Sequence, residues 1–431
     1  MRFRFIHAAD LHLDTPFQGL ARVSEEMAVL LRDASLSAFD AVVSLAIERE
    51  AAFLVLAGDI YDGEERGVRA QLRLLRGLER LSAHGIQTFI AHGNHDPSGG
   101  WSAIRKWPEG VTVFGPEAVS AVPVFATGKR VATVYGLSYG RREVTENLAL
   151  RFPRIGRRDP EAGLRVGVLH CSVGDQPDHS PYSPCSLTDL TSADIDYWAL
   201  GHVHQHTVLV AGRPWVVYPG SVQGRSPKPA ETGPKGALVV EGEGSAVHSV
   251  EFVSLDPVRF VHGRLDITDL GEGADLGDLR NALLRRAAEI REENGDRALI
   301  ARFTLEGRSS VHGDIAARIA TAELLQHLRD ESSHLQPPFW WEGLCDQTRP
   351  DIDLNTMRVR GDFASSLLAY AENAAGDRVY LDKAAQLLTP AAPAELGHRF
   401  GAPSDAEITA LLSEACLLAL DALEQEAASC G

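Results

Sequence analysis

Long apolar runs are missing from this sequence. No stretch reaches the roughly 18 apolar residues that a membrane-spanning helix needs. The N-terminus, MRFRFIHAAD, lacks the apolar core of a secretory leader, so a cytoplasmic location is expected. Thiols are few and scattered: Cys171, Cys185, Cys345, Cys416 and Cys430 are odd in number and form no CxxC pair. That excludes a structural zinc finger and a disulfide framework, and it suits a reducing compartment. Positive charge is also short, with 42 Lys and Arg against 59 Asp and Glu and a formal charge of −17. Taken alone, this speaks against a nucleic-acid binder, which usually carries a basic footprint.

What is present is a globular composition, 44% hydrophobic and 23% charged, over 431 residues. That length exceeds one compact core and predicts two or three domains. The charge is uneven. Up to Leu255 there are 25 Lys and Arg against 29 Asp and Glu; beyond it there are 17 against 30. The acidity therefore sits in the C-terminal part, and the first part is open to a polyanionic substrate.

Strand-like runs crowd the first part: RFRFIHAA, AAFLVLAG, IQTFIAHG, VTVFG, KRVATVYGL, LRVGVLH, DYWALGH, PWVVYPG, GALVVE and VHSVEFVSL. Helical spacing appears over residues 31–50 and over about 68–83, where Leu72, Leu75, Leu78 and Leu81 mark a face. Residues 256–335 read as strand, helix, strand, helix, and the chain after LQPPFWWEGL reads as helical. The expected domains are 1–255, 256–335 and 336–431, with TPAAPAE at 389–395 as a short linker. A final helix over 404–427 opens on a capping box, Ser404 with Glu407, and places Ile408, Leu411, Leu412, Ala415, Leu418 and Ala422 on one face.

Five short motifs each put ligand-type side chains at the end of an apolar run. They are AADLH (Asp10, His12), AGDIYD (Asp59, Asp62), GNHD (Asn94, His95, Asp96), VLHCS (His170) and GHVH (His202, His204). Ligand sites in sheet proteins form where loops converge at the carboxyl ends of strands. A lone D-x-H or H-x-H is more often an ordinary polar strand end. Five such motifs in order are a different matter, because coincidence would have to act five times. His7, His84 and His92 are assigned no role.

These residues resemble the calcineurin-like metallophosphoesterase superfamily and, within it, the SbcD/YhaO-type DNA repair exonucleases. The narrower resemblance rests on FIHAADLHLDTPF, ALGHVHQHTVL and VVYPGSVQGRSPKPAETGPKGALVVE. It implies an α/β fold: a β-sandwich flanked by helices, then a small α+β cap domain and a helical C-terminal region. It implies two divalent metals, one held by Asp10, His12, Asp59 and His204, the other by Asp59, Asn94, His170 and His202. Asp59 would bridge them by sharing its two oxygens. The nitrogen and oxygen donor set suits manganese or iron, with zinc possible, and the resemblance implies manganese. The implied reaction is attack on phosphorus by metal-activated water, with His95 as general acid and Asp62 orienting it, while Asp96 buttresses the loop.

The function implied is a DNA exonuclease and endonuclease in repair. The alternative is a small-molecule or nucleotide phosphodiesterase, or a pyrophosphatase, with the same dinuclear centre. Implied partners are DNA, a coiled-coil SMC-like ATPase that the helix at 404–427 could dock, and a second copy of the chain. That helix could equally pack on its own domain. Gly220, Ser221 and Arg225 could meet a phosphate or form a structural turn. Arg141, Arg142 and the run 151–160 are either DNA-backbone contacts or a solvated loop.

Overall fold

Phe53, Val55 and Ala57 pack to one side and Leu54 and Leu56 to the other, the period-two alternation of a strand buried on both faces. The apolar runs of the first part adopt this pattern repeatedly. A computed structural model describes residues 1–15, 17, 25–63, 67–154, 161–174, 182–316, 318–388 and 404–429. The linker at 389–395, residues 155–160 of the basic run and Cys430 lie outside the described residues.

The strands are β1 (Arg2–Ala8), β2 (Phe53–Ala57), β3 (Gln87–Ala91), β4 (Val111–Val113), β5 (Ser120–Ala126), β6 (Lys129–Gly136), β7 (Leu164–His170), β8 (Tyr197–Gly201), β9 (Thr207–Val210), β10 (Trp215–Tyr218), β11 (Gly236–Glu243), β12 (Ala246–Ser254), β13 (Val258–Asp266), β14 (Ala298–Ser309) and β15 (Phe339–Pro350). The helices are α1 (Glu25–Glu48), α2 (Val68–Ala83), α3 (Leu187–Thr191), α4 (Leu276–Asn294), α5 (His312–Ala316), α6 (Arg318–Ser332), α7 (Leu354–Val359), α8 (Phe363–Gly376), α9 (Arg378–Leu388) and α10 (Asp405–Ser429).

Two six-stranded sheets run in the orders β12-β11-β1-β2-β3-β4 and β5-β6-β7-β8-β10-β9. Their centres are parallel, β1 through β4 in one and β6, β7, β8 and β10 in the other. Phe5, Val55 and Phe89 of the first sheet meet Val134, Val166, Val168 and Ala199 of the second in a shared core. The outer face of the first sheet, with Ile6, Leu54, Leu56 and Ile90, is covered by Phe39 and Val42 of α1 and Leu74 and Leu78 of α2. Leu169, Leu200 and Val216 back the second sheet onto Leu148, Phe152 and Leu190. The expected helix-flanked sandwich is thus observed.

The chain divides into two compact units. The first comprises Met1–Gly263, Ala287–Phe303 and Leu325–Gly343; the second comprises Arg264–Arg286, Thr304–Leu324 and Leu344–Gly431. Strands β13, β14 and β15 form a three-stranded sheet in that order, with α4 between the first two strands and α5 and α6 between the last two. The second unit is rich in helix. There Met357, Ala364 and Leu368 pack with Cys416 and Leu420 of α10, and Arg308 grips buried Asp421 with two 2.9 Å bonds.

Three sequence expectations need correction. The chain after LQPPFWWEGL is not helical at once, because β15 continues to Pro350 and α7 begins only at Leu354. On α2 the buried face is Leu74, Leu78 and Leu81, while Leu72 is 46% exposed. On α10 the buried row is Ile408, Cys416 and Leu420, and Leu411 and Leu418 lie exposed. Both helices carry leucine on more than one side, so spacing alone does not choose the face that packs. The capping box is present: Ser404 Oγ accepts from Glu407 N at 3.3 Å, and Ser404 N donates to Glu407 Oε2 at 2.7 Å.

Candidate metal centre

The parallel strands point their carboxyl ends the same way, so the loops after β1, β2, β3, β7 and β8 gather at one edge of the sandwich. Backbone hydrogen bonds lace two of these loops together. Asp10 N donates to Gly58 O at 3.1 Å, His12 N to Asp59 O at 3.0 Å and Leu13 N to Ile60 O at 2.9 Å. Four candidate ligands hold positive φ: Asp10 at 51°, His12 at 42°, Asp59 at 49° and His202 at 110°. Such conformations cost on the order of 1 kcal/mol or more per non-glycine residue and tend to collect at functional sites. Gly201 is required by a close approach, since a Cβ there would lie 1.8 Å from Ala57 O.

All seven candidate metal ligands sit at this edge. Asp10, His12, Asp59, Asn94, His170 and His202 are buried, and His204 is partly so. Ligand atoms of Asp10, His12 and His204 lie within 4.8 Å of one another, as do those of Asp10, Asp59 and His170. His12 Nε2 is 3.3 Å from His204 Nε2. His170 Nε2 is 3.0 Å from Asn94 Oδ1 and 3.4 Å from Asp59 Oδ2. The His202 ring centre is 5.3 Å from that of His170, and its backbone N–H donates to Asp10. Asp59 Oδ2 lies between the two groups, 4.0 Å from His12 Nε2 on its other side. Asp59 Oδ1 accepts the His95 backbone N–H at 3.0 Å.

The donor atoms fit cations. His170 Nδ1 donates to Ala57 O at 3.0 Å, which leaves a lone pair on Nε2 of the neutral ring. That lone pair faces the oxygens of Asn94 and Asp59, an arrangement that only a proton or a cation reconciles. His204 repeats the pattern: Nδ1 bonds Glu231 Oε1 at 2.7 Å, and Nε2 confronts His12. Burial disfavours charge on His170, yet the carboxylates of Asp59 and Asp10 push its pKa up to about 9. Burial works to raise Asp59 too, but His170, His12 and His95 hold it well below the usual carboxylate range. Burial, with Arg225 and His204 nearby, holds His12 well below the usual histidine range. The site is built for positive charge that it does not fully supply itself.

His95 and Asp62 form a separate pair at the solvent edge, His95 Nδ1 lying 2.5 Å from Asp62 Oδ1. That hydrogen bond raises the His95 pKa against burial and lowers that of Asp62. Ligand atoms of His12, Asp62 and His95 also lie within 4.8 Å of one another. Asp96 is fully buried and accepts from Gly93 N, Ile60 N and His92 Nδ1, so it buttresses the loop. His92 therefore has a structural task that the sequence did not disclose. His7 is a core histidine between Tyr197 and Leu200 O. His84 lies on the surface beyond α2, with Nδ1 on Arg80 O.

Two residues of the site escaped sequence reasoning. Glu231 is buried beneath His204; burial works against its charge, but His204, Arg225 and Lys235 hold its pKa down to about 2. Lys235, also buried, donates to His204 O at 2.7 Å and Ala230 O at 2.5 Å. Both follow YPGS in the sequence, but neither has ligand-like spacing; only the folded contacts reveal them. Cys171 turns away from the donors, its Sγ 3.8 Å from Cys185 Sγ.

Residues 3–206 match the family described as calcineurin-like phosphoesterase, and residues 264–349 match the middle domain of metallophosphoesterase YhaO. An uncharacterized metallophosphoesterase YhaO of Bacillus subtilis is 32% identical over 354 residues, covering 82% of this chain and 84% of that protein. The DNA double-strand break repair protein Mre11 of Sulfurisphaera tokodaii is 22% identical over 281 residues, covering 63% of this chain and 67% of that one. A dimetal phosphatase from Danio rerio overlaps 58% of this chain and 99% of its own, at 14% identity and a TM-score of 0.34.

Proposed function

The chain belongs to the calcineurin-like metallophosphoesterases, and from that premise we propose that it is a dinuclear phosphodiesterase cutting DNA in repair. The observation that carries the hydrolytic reading is the convergence of seven nitrogen and oxygen donors beside the His95–Asp62 pair. The DNA assignment is supported by relatives named for double-strand break repair.

Asp10, His12, Asp59 and His204 would hold one cation, and Asp59, Asn94, His170 and His202 the other. Nitrogen and oxygen donors without thiolate suit manganese or iron, and manganese is the ion proposed. When bound, the cations supply an activated water nucleophile and offset charge on the phosphoryl oxygens. Asp62 fixes His95 through Nδ1 and favours the protonated ring, leaving Nε2 to present a proton. As the P–O bond breaks, that proton passes to the departing sugar oxygen.

The test is linear duplex DNA with the purified protein and manganese. Degradation that EDTA abolishes supports the reading. Hydrolysis of only bis(p-nitrophenyl) phosphate or a nucleotide, with DNA left intact, assigns a small-molecule phosphodiesterase instead. A coiled-coil ATPase is the partner proposed for α10, whose Leu411 and Leu418 are exposed while its opposite row is packed. Leu411→Glu with Leu418→Glu should abolish capture of such an ATPase without lowering the unfolding temperature; unchanged capture rejects this partner surface.

A further inference from the structure

We propose that Arg225 is a positioning residue that fixes the proton donor His95 against the metal-ligand cluster. The proposal rests on the hydrolytic reading above. The guanidinium stands between two carboxylates, and each carboxylate holds one imidazole of the site. Arg225 Nη1 donates to Asp62 Oδ2 at 3.3 Å, and Asp62 Oδ1 is 2.5 Å from His95 Nδ1. On the other side, Arg225 Nη2 is 3.8 Å from Glu231 Oε1, and the Arg225 backbone N–H donates to Glu231 Oε2 at 3.1 Å. Glu231 Oε1 in turn is 2.7 Å from His204 Nδ1. The chain of contacts His204–Glu231–Arg225–Asp62–His95 joins a candidate ligand to the proton donor.

Arginine suits this place for a geometric reason. Its planar fork meets two carboxylates at a set spacing, whereas an ammonium is a mobile point charge. The side chain is 18% exposed, and among the described residues its buried Nε makes no hydrogen bond. Asp62 needs such support, since its side chain is 27% exposed at the rim. A freely rotating Asp62 would carry His95 with it, and misplacement of a reacting group by about 1 Å costs on the order of a hundredfold.

The rival role, a clamp on substrate phosphate, is separable by leaving group. A dinucleotide departs as an alkoxide that needs a proton; bis(p-nitrophenyl) phosphate departs as a stabilised phenolate that does not. Arg225→Ala should lower kcat on the dinucleotide at least roughly tenfold more than kcat on the aryl ester, with KM moved by less than about threefold. Equal losses on both esters, or a change confined to KM, would overturn the proposal. A second measurement needs no turnover. The hydrogen-bonded Nδ1 proton of His95, identified in the downfield proton NMR spectrum by its loss in His95→Gln, should shift or broaden in Arg225→Ala. Manganese content, measured by mass spectrometry, should stay at the wild-type level. An unmoved resonance, or lost metal, rejects the positioning role. If the wild type cleaves neither ester, the hydrolytic reading fails, and the NMR result still decides whether Arg225 holds His95.

Discussion

At the scale of residues, the proposed mechanism separates holding from proton transfer. Six of the seven candidate ligands are buried and four hold positive φ, whereas His95 and Asp62 lie at the rim. His95→Gln should therefore lower DNA turnover on the order of a hundredfold or more while manganese content is unchanged; loss of metal in that variant would remove His95 from the role of proton donor. The ligand-type residues were legible because each follows an apolar run by one to a few positions. Glu231 was not, because it acts through one hydrogen bond to His204, 27 residues earlier, and reads as a loop acid in KPAETG. Nor did the chain of residues disclose that Asp59 commits one oxygen to the His95 backbone.

At the scale of elements, buried parallel strands were easy to see and half-exposed edges were not. β2, β7 and β8 are buried at every position, and apart from Arg165 and His170 of β7 their runs are apolar. β5 and β9 are the two edges of the second sheet, with most residues partly or fully exposed, and neither stands out in the sequence. α10 shows the opposite difficulty, too much leucine, and only packing against α8 selects the row ending in Leu420. Because Leu420 is fully buried there, Leu420→Ala should cost about 2–5 kcal/mol. Denaturant unfolding, or faster amide exchange along α10, would show it; an unchanged midpoint would mean that this helix contributes little to its unit.

At the scale of the whole molecule, charge decides how a polyanion is met. The residues up to Leu255, which carry all the candidate site residues, have 25 Lys and Arg against 29 Asp and Glu. Two divalent cations offset that difference, so DNA affinity should depend on metal even where no cleavage occurs. In His95→Gln, binding of a labelled duplex should strengthen on adding manganese and weaken on chelation, and more so at low salt. Equal affinity with and without metal would place DNA contacts away from the centre.

The strand that carries Asp10 and His12 just beyond its end is paired on both sides. β1 lies between β2 and β11, and β11 begins only at Gly236. Its loop contributes Asp10 and His12, while His202, His204 and Glu231 come from far downstream. Synthesis must therefore pass Gly236 before β1 gains its second neighbour. A chain that stops before His202 lacks two of the candidate ligands, so synthesis must pass that residue before the proposed centre can close.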